Sequence, residues 1–102
     1  MVVITVLIKH PHEDVAPIQI KDTDDVTRLV GGDFEVLADD RLDGVSLLVN
    51  EDLRGVAANN FPVTTDGFLD WVYGPCVFVK ADGTSLTDED MEKIRKYLAS
   101  HV

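Results

Sequence analysis

One cysteine, Cys76, in 102 residues leaves nothing for an intrachain disulfide to join, which excludes a disulfide-built secreted scaffold. Cations are also scarce. Nine lysines and arginines face nineteen acids, a formal charge of -10, and between Asp22 and Asp66 eleven acids meet only Arg28, Arg41 and Arg54. Such a field repels free DNA, RNA and anionic lipid, so direct nucleic-acid binding is not expected. Long apolar runs are missing too: residues 2–8 are apolar but too short to span a bilayer and have no basic leader. Neither a membrane helix nor a signal peptide is expected, and a cytosolic setting fits best. With no repeat, linker or low-complexity segment, residues 1–102 read as one domain, large enough to bury about two-thirds of its unfolded surface. The acidity itself permits a basic protein partner or a cation, and it also serves solubility.

The remaining pattern predicts an α+β domain: a small mixed or mainly antiparallel sheet, a short helix in the N-terminal half and a helix at the C-terminus. "MVVITVLIKH" reads as a buried strand, and "APIQI" as a second strand antiparallel to it. In "DTDDVTRLVGG", Thr23 or Asp24 can cap a helix whose apolar face is Val26, Leu29 and Val30, and Gly31 or Gly32 can close it. "FEVLAD" and "GVSLLVN" form a hairpin, and "NEDLRG" forms a turn. "VAANNFPVTTDG" reads as irregular structure or short edge strands, because Pro62 argues against a central one. "CVFVK" supplies the last strand. Thr87 with Asp90 forms a capping box, and Met91, Ile94, Leu98 and Val102 mark one buried helix face.

Known chemical motifs fit poorly. Gly31 and Gly32 follow a helix, whereas a phosphate loop places glycines before one, and neither G-x-x-x-x-G-K-[ST] nor G-x-G-x-x-G occurs. "DDRLDGVSLLVN" has Asp43 and Gly44 where a calcium loop needs them, but Arg41 and Asn50 replace required oxygen ligands. His10 and His12 are a close pair without an evident third and fourth ligand, so no metal or other cofactor is expected. Cys76 sits inside "PCVFV" in an acidic chain, which favours a packed, inert thiol over a nucleophile. Ser46, Ser85 and Ser100 have no neighbouring histidine and acid, and carboxylates are too abundant for a pair to stand out.

"NNFPVTTDGFLDWVYG" is less ordinary. It gathers Phe61, Phe68, Trp71 and Tyr73, and a strand through "FLDWVYG" sets Trp71 and Tyr73 on one face. Completion of a small core is the favoured reading. Exposed, the same rings become binding hot spots ringed by polar groups.

In order along the chain, "LVGG-FEV", "VSLLVNED--G", "NNFPV", "YGPCVFV" and "SLTDEDMEKI" resemble domain of unknown function 3846, a family of small bacteriophage and bacterial proteins. The resemblance covers about residues 2–98 and carries no catalytic residue. It implies a phage or prophage origin and life in the host cytoplasm.

The expected function is therefore a noncatalytic phage accessory protein that binds a host or phage protein through an acidic surface, as an inhibitor or a DNA mimic. Asp39, Asp40, Asp43, Glu51, Asp52, Phe68, Trp71 and Tyr73 are its candidate contacts. The alternative is a small-ligand or nucleotide binder using Asn59 and Asn60, with the three central arginines converging on phosphate. An enzyme is third, since no reaction centre is legible. An unpaired edge strand or the Phe68-to-Tyr73 surface would also support a homodimer.

Overall fold

The computed structural model describes residues 3–100. Its elements in chain order are β1 (Ile4–Lys9), β2 (Ala16–Ile20), α1 (Thr23–Val30), β3 (Phe34–Leu37), β4 (Val45–Asn50), a 3₁₀ turn (Glu51–Leu53), β5 (Asn59–Thr65), β6 (Phe68–Tyr73), β7 (Cys76–Lys80) and α2 (Asp88–Ala99). Five strands form one antiparallel sheet in the order β2-β1-β7-β4-β3, and β5 and β6 form a separate two-stranded sheet. The last strand in the sequence, β7, is thus the central one. This explains its unbroken apolar run: Val77 faces one side with Val6, Ile8 and Leu48, and Cys76 and Phe78 face the other with Leu7 and Leu47.

Each side has its own cover. α1 places Val26 and Val30 over Val77 and Ile8, while Ile94 and Tyr97 of α2 join Phe61, Val63 and Val72 of the small sheet against Phe78 and Leu47. The result is three layers, helix on sheet on helix-plus-hairpin.

Local chemistry agrees with most of the predicted boundaries. Thr87 and Asp90 make the reciprocal capping box, and Gly31 closes α1 at φ 86° with its N–H on the Thr27 carbonyl at 2.9 Å. The N-cap of α1 is Asp22, however, not Thr23 or Asp24: its carboxylate accepts the Asp25 N–H at 3.1 Å. On α2, Ile94 is buried and Met91 and Leu98 are partly buried as predicted, Tyr97 joins them, and Val102 lies outside the described residues. Residues 59–65, expected as irregular structure or short edge strands, make the seven-residue β5. Pro62 is tolerated because both strands of a two-stranded sheet are edges.

Candidate functional site

The hairpin of β3 and β4 ends in a loop that does two opposite things with two adjacent aspartates. Asp39, expected on an acidic surface, has a side chain fully withdrawn from solvent. Its carboxylate accepts the Tyr97 hydroxyl at 2.5 Å, the Thr64 N–H at 2.9 Å and the Arg41 N–H at 2.8 Å, with the Arg41 guanidinium beyond. Burial alone would raise its pKa, but these donors outweigh that and hold the carboxyl at about 2, below its ordinary 3.8. Burial and the same aspartate push the Tyr97 hydroxyl upward. Asp39 is therefore a structural pin joining three elements and not a binding contact.

Asp40 remains exposed, and its carboxylate caps the tip of the β5-β6 hairpin by accepting the N–H groups of Asp66 and Gly67 at 2.9 and 2.8 Å. Glu51 and Asp52 are exposed at the opposite end of β3, because Phe34 pairs with Asn50. Asp43 is exposed as well but sits toward α2, where its carbonyl accepts Lys93 Nζ at 2.6 Å.

The small sheet has a definite orientation under the large one. β5 lies toward α2: Phe61 stacks on Phe78 at 5.5 Å and meets Tyr97 edge-on at 6.2 Å. β6 lies toward β3, and Trp71 and Tyr73 share a shallow crevice with Glu35, Leu37 and Arg54. Core completion, the favoured reading of the aromatic segment, holds for Phe61 alone. Phe68 is 79% exposed, Leu69 69% and Trp71 40%, while Tyr73 is half-buried. Leu69 and Trp71 share one face of β6 and Phe68 lies at its hairpin end, whereas Val36 of β3, 62% exposed, sits opposite Leu48 on the α1 face of the large sheet. Leu69 and Val36 were missed as site residues, although Leu69 shares strand parity with Trp71.

The asparagine and arginine expectations fare differently. Asn59 is exposed, but Asn60 is a brace whose amide donates to the carbonyls of Lys9 and Gly74 at 2.8 and 2.9 Å. Both its N–H groups are used in bracing the fold, while its buried Oδ1 has no hydrogen-bond partner. The three arginines do not converge either: Arg28 pairs with Asp25, Arg41 with Asp39 and Arg54 with Asp70. The crevice beside Trp71 and Tyr73 is only about 10 Å³, too small for a nucleotide base.

Elsewhere, His10 and His12 are exposed, and among the described residues no three His, Cys, Asp or Glu side chains gather as a metal set. His12 holds φ 66° in the turn whose end is marked by the Glu13 N–H on the His10 carbonyl. A cavity of about 690 Å³ lies between that turn and the end of α2, lined by Lys9, His12, Glu13, Asp14, Arg95 and Leu98 among others. Lys9 is tied to the turn there, its Nζ donating to the carbonyls of His10 and Glu13 at 3.2 and 2.8 Å. Cys76 is fully buried and its thiol pKa is pushed up by burial, as expected for an inert thiol. No described helix is long and apolar enough to cross a membrane.

The pieces that stand out in the sequence meet in pairs. Asn50 is buried and donates to the Val30 carbonyl at 3.1 Å, where α1 ends. A Cβ on Gly32 would come within 3.0 Å of that amide nitrogen. Gly74, at φ 74°, receives Asn60, and a Cβ there would meet Leu53 Cδ1 at 2.7 Å. Comparison with protein families matches residues 4–99 to Domain of unknown function (DUF3846). The chain belongs to the DUF3846 family. No curated protein and no solved structure matches it. In this DUF3846 chain the paired glycines, the Asn50 turn, Asn60 and Gly74 hold the fold together, so the segments that carry the resemblance encode architecture.

Proposed function

We propose that this chain is a noncatalytic binding protein that engages a protein partner through the flank formed by β3 and β6. The observation that carries this reading is the exposure of Phe68, Leu69 and Trp71 on β6, with Asp40 at its hairpin tip and Val36, Glu51 and Asp52 exposed along β3 and beyond its end. Exposed apolar side chains rimmed by charge suit protein recognition, with rings as anchors and carboxylates steering a basic partner. Arg54, a cation on this flank, is already held by Asp70 at 2.6 Å, which leaves the surrounding acids uncompensated by it. Placement in the host cytoplasm as a phage accessory factor belongs to the same proposal, with inhibition or DNA mimicry as its narrower forms.

The test is partner recovery from infected cells with wild-type protein and two surface variants. One combines Phe68→Ser, Leu69→Ser and Trp71→Ser, and the other neutralises Asp40, Glu51 and Asp52. Loss of the same specific partner with both variants is expected. Undiminished recovery with both would remove the flank as the binding surface.

A further inference from the structure

The two outer strands of the large sheet differ in how their open edges are protected. β2 carries Pro17, which has no N–H to offer an incoming strand. β3 carries no proline, and its residue at the centre of the edge is the exposed Val36. Its hydrogen-bonding phase can be read from the bond just before it. Glu51 N–H donates to the Asp33 carbonyl at 3.4 Å, which makes Asp33 and Glu51 a hydrogen-bonded pair in register with Phe34 opposite Asn50. Antiparallel pairs alternate, so Glu35 and Leu37 bond toward β4, while Phe34 and Val36 turn their N–H and C=O groups outward.

Resting on the binding role proposed above, we infer that this β3 edge takes an extended, basic segment of the partner as a sixth strand. The backbone supplies two residues' worth of outward donors and acceptors, and β-strand addition uses such groups for affinity and alternate side-chain positions for specificity. On one face an incoming side chain meets Val36 and Phe34. On the other it meets Glu35 and Trp71, which share the crevice below the strand. Charge decides the chemistry of the occupant. Asp33 and Glu35 lie on or beside the strand, Asp40 follows it, and Glu51 and Asp52 stand beyond its other end. An edge bordered by carboxylates selects lysine or arginine alternating with apolar residues. A second copy of this chain is disfavoured, since each carries a formal charge of -10.

The experiment uses isotope-labelled full-length protein and three capped synthetic peptides: one alternating valine with lysine, one alternating valine with glutamate, and the lysine peptide N-methylated at alternate amides. Saturable amide shifts at Phe34, Glu35, Val36 and Leu37 are expected with the lysine peptide, and none with the other two. Val36→Pro removes an N–H that β4 does not use, and should weaken the lysine peptide by at least about tenfold, whereas Val36→Thr should retain it. The amide spectrum of the proline variant shows directly whether it is folded, and the N-methylated peptide tests the same bond on wild-type protein if it is not. Lysine-peptide binding that survives both changes would overturn strand addition, as would shifts confined to β6 or the absence of any shift at β3. Those results leave the broader reading intact as long as the flank variants still lose their partner from infected cells. Self-association through β3 in sedimentation runs would likewise overturn the assignment of the occupant.

Discussion

The seam that joins β5 to α2 and the flank that runs from β6 to β3 are opposite sides of one short hairpin, yet their chemistry is inverted. At the seam a carboxylate is buried and every strong donor around Asp39 is matched. On the flank, large apolar groups are left in water. The contrast shows how a two-stranded sheet, marginal by itself, can present rings to solvent in a fixed position. Its interior is stapled to the domain by Asp39, Phe61 and Asn60, and its tip is capped by Asp40. Rings held this way lose little freedom when a partner arrives.

Breaking the seam has the largest expected effect. Asp39→Ala removes the carboxylate that accepts from the Tyr97 hydroxyl and from the Thr64 and Arg41 amides, and should cost about 3–5 kcal/mol in urea unfolding. A loss below about 1 kcal/mol would mean that the seam is not what fixes the hairpin. Next is Gly74→Ala, which puts a side chain at φ 74° and into Leu53, with an expected loss of about 2 kcal/mol by the same measurement.

Acid should then discriminate seam from flank. The folded-state pKa of Asp39 is depressed to about 2, so its contribution is present above the unfolded value near 4 and disappears as pH falls toward 2. Discounted for the solvent around Arg41, this amounts to about 1–2 kcal/mol, read as a falling urea midpoint between those pH values that Asp39→Asn should flatten. The smallest change is expected on the flank: Phe68→Ser and Leu69→Ser should each alter stability by no more than about 0.5 kcal/mol. A substantial destabilisation there would show that the exposed side chains serve folding.

Much of the architecture is written locally. Alternation in residues 16–20, the Thr87-Asp90 box and a glycine after Val30 each act within a few residues of themselves, and each appears where predicted. The N-cap of α1 shows the limit of such reading, since Asp22, Thr23 and Asp24 are all competent and backbone conformation selects the first. The seam was illegible for a different reason. Asp39 depends on Tyr97, separated from it by 58 positions, and nothing in "LADDRL" distinguishes the aspartate that turns inward from its neighbour. Asn60 likewise looks like a free amide until Lys9 and Gly74 arrive on either side. The aromatic flank was half visible: strand parity grouped Trp71 and Tyr73, but only the position of β6 below β3 determines which of them solvent reaches.

Cys76 gives this molecule a built-in clock. Because the thiol is enclosed on the middle strand and is the chain's sole sulfhydryl, an alkylating reagent can reach it only when the sheet itself opens. Its labelling rate in native buffer therefore times the breathing of the whole interior, without a dye, a tag or an engineered residue.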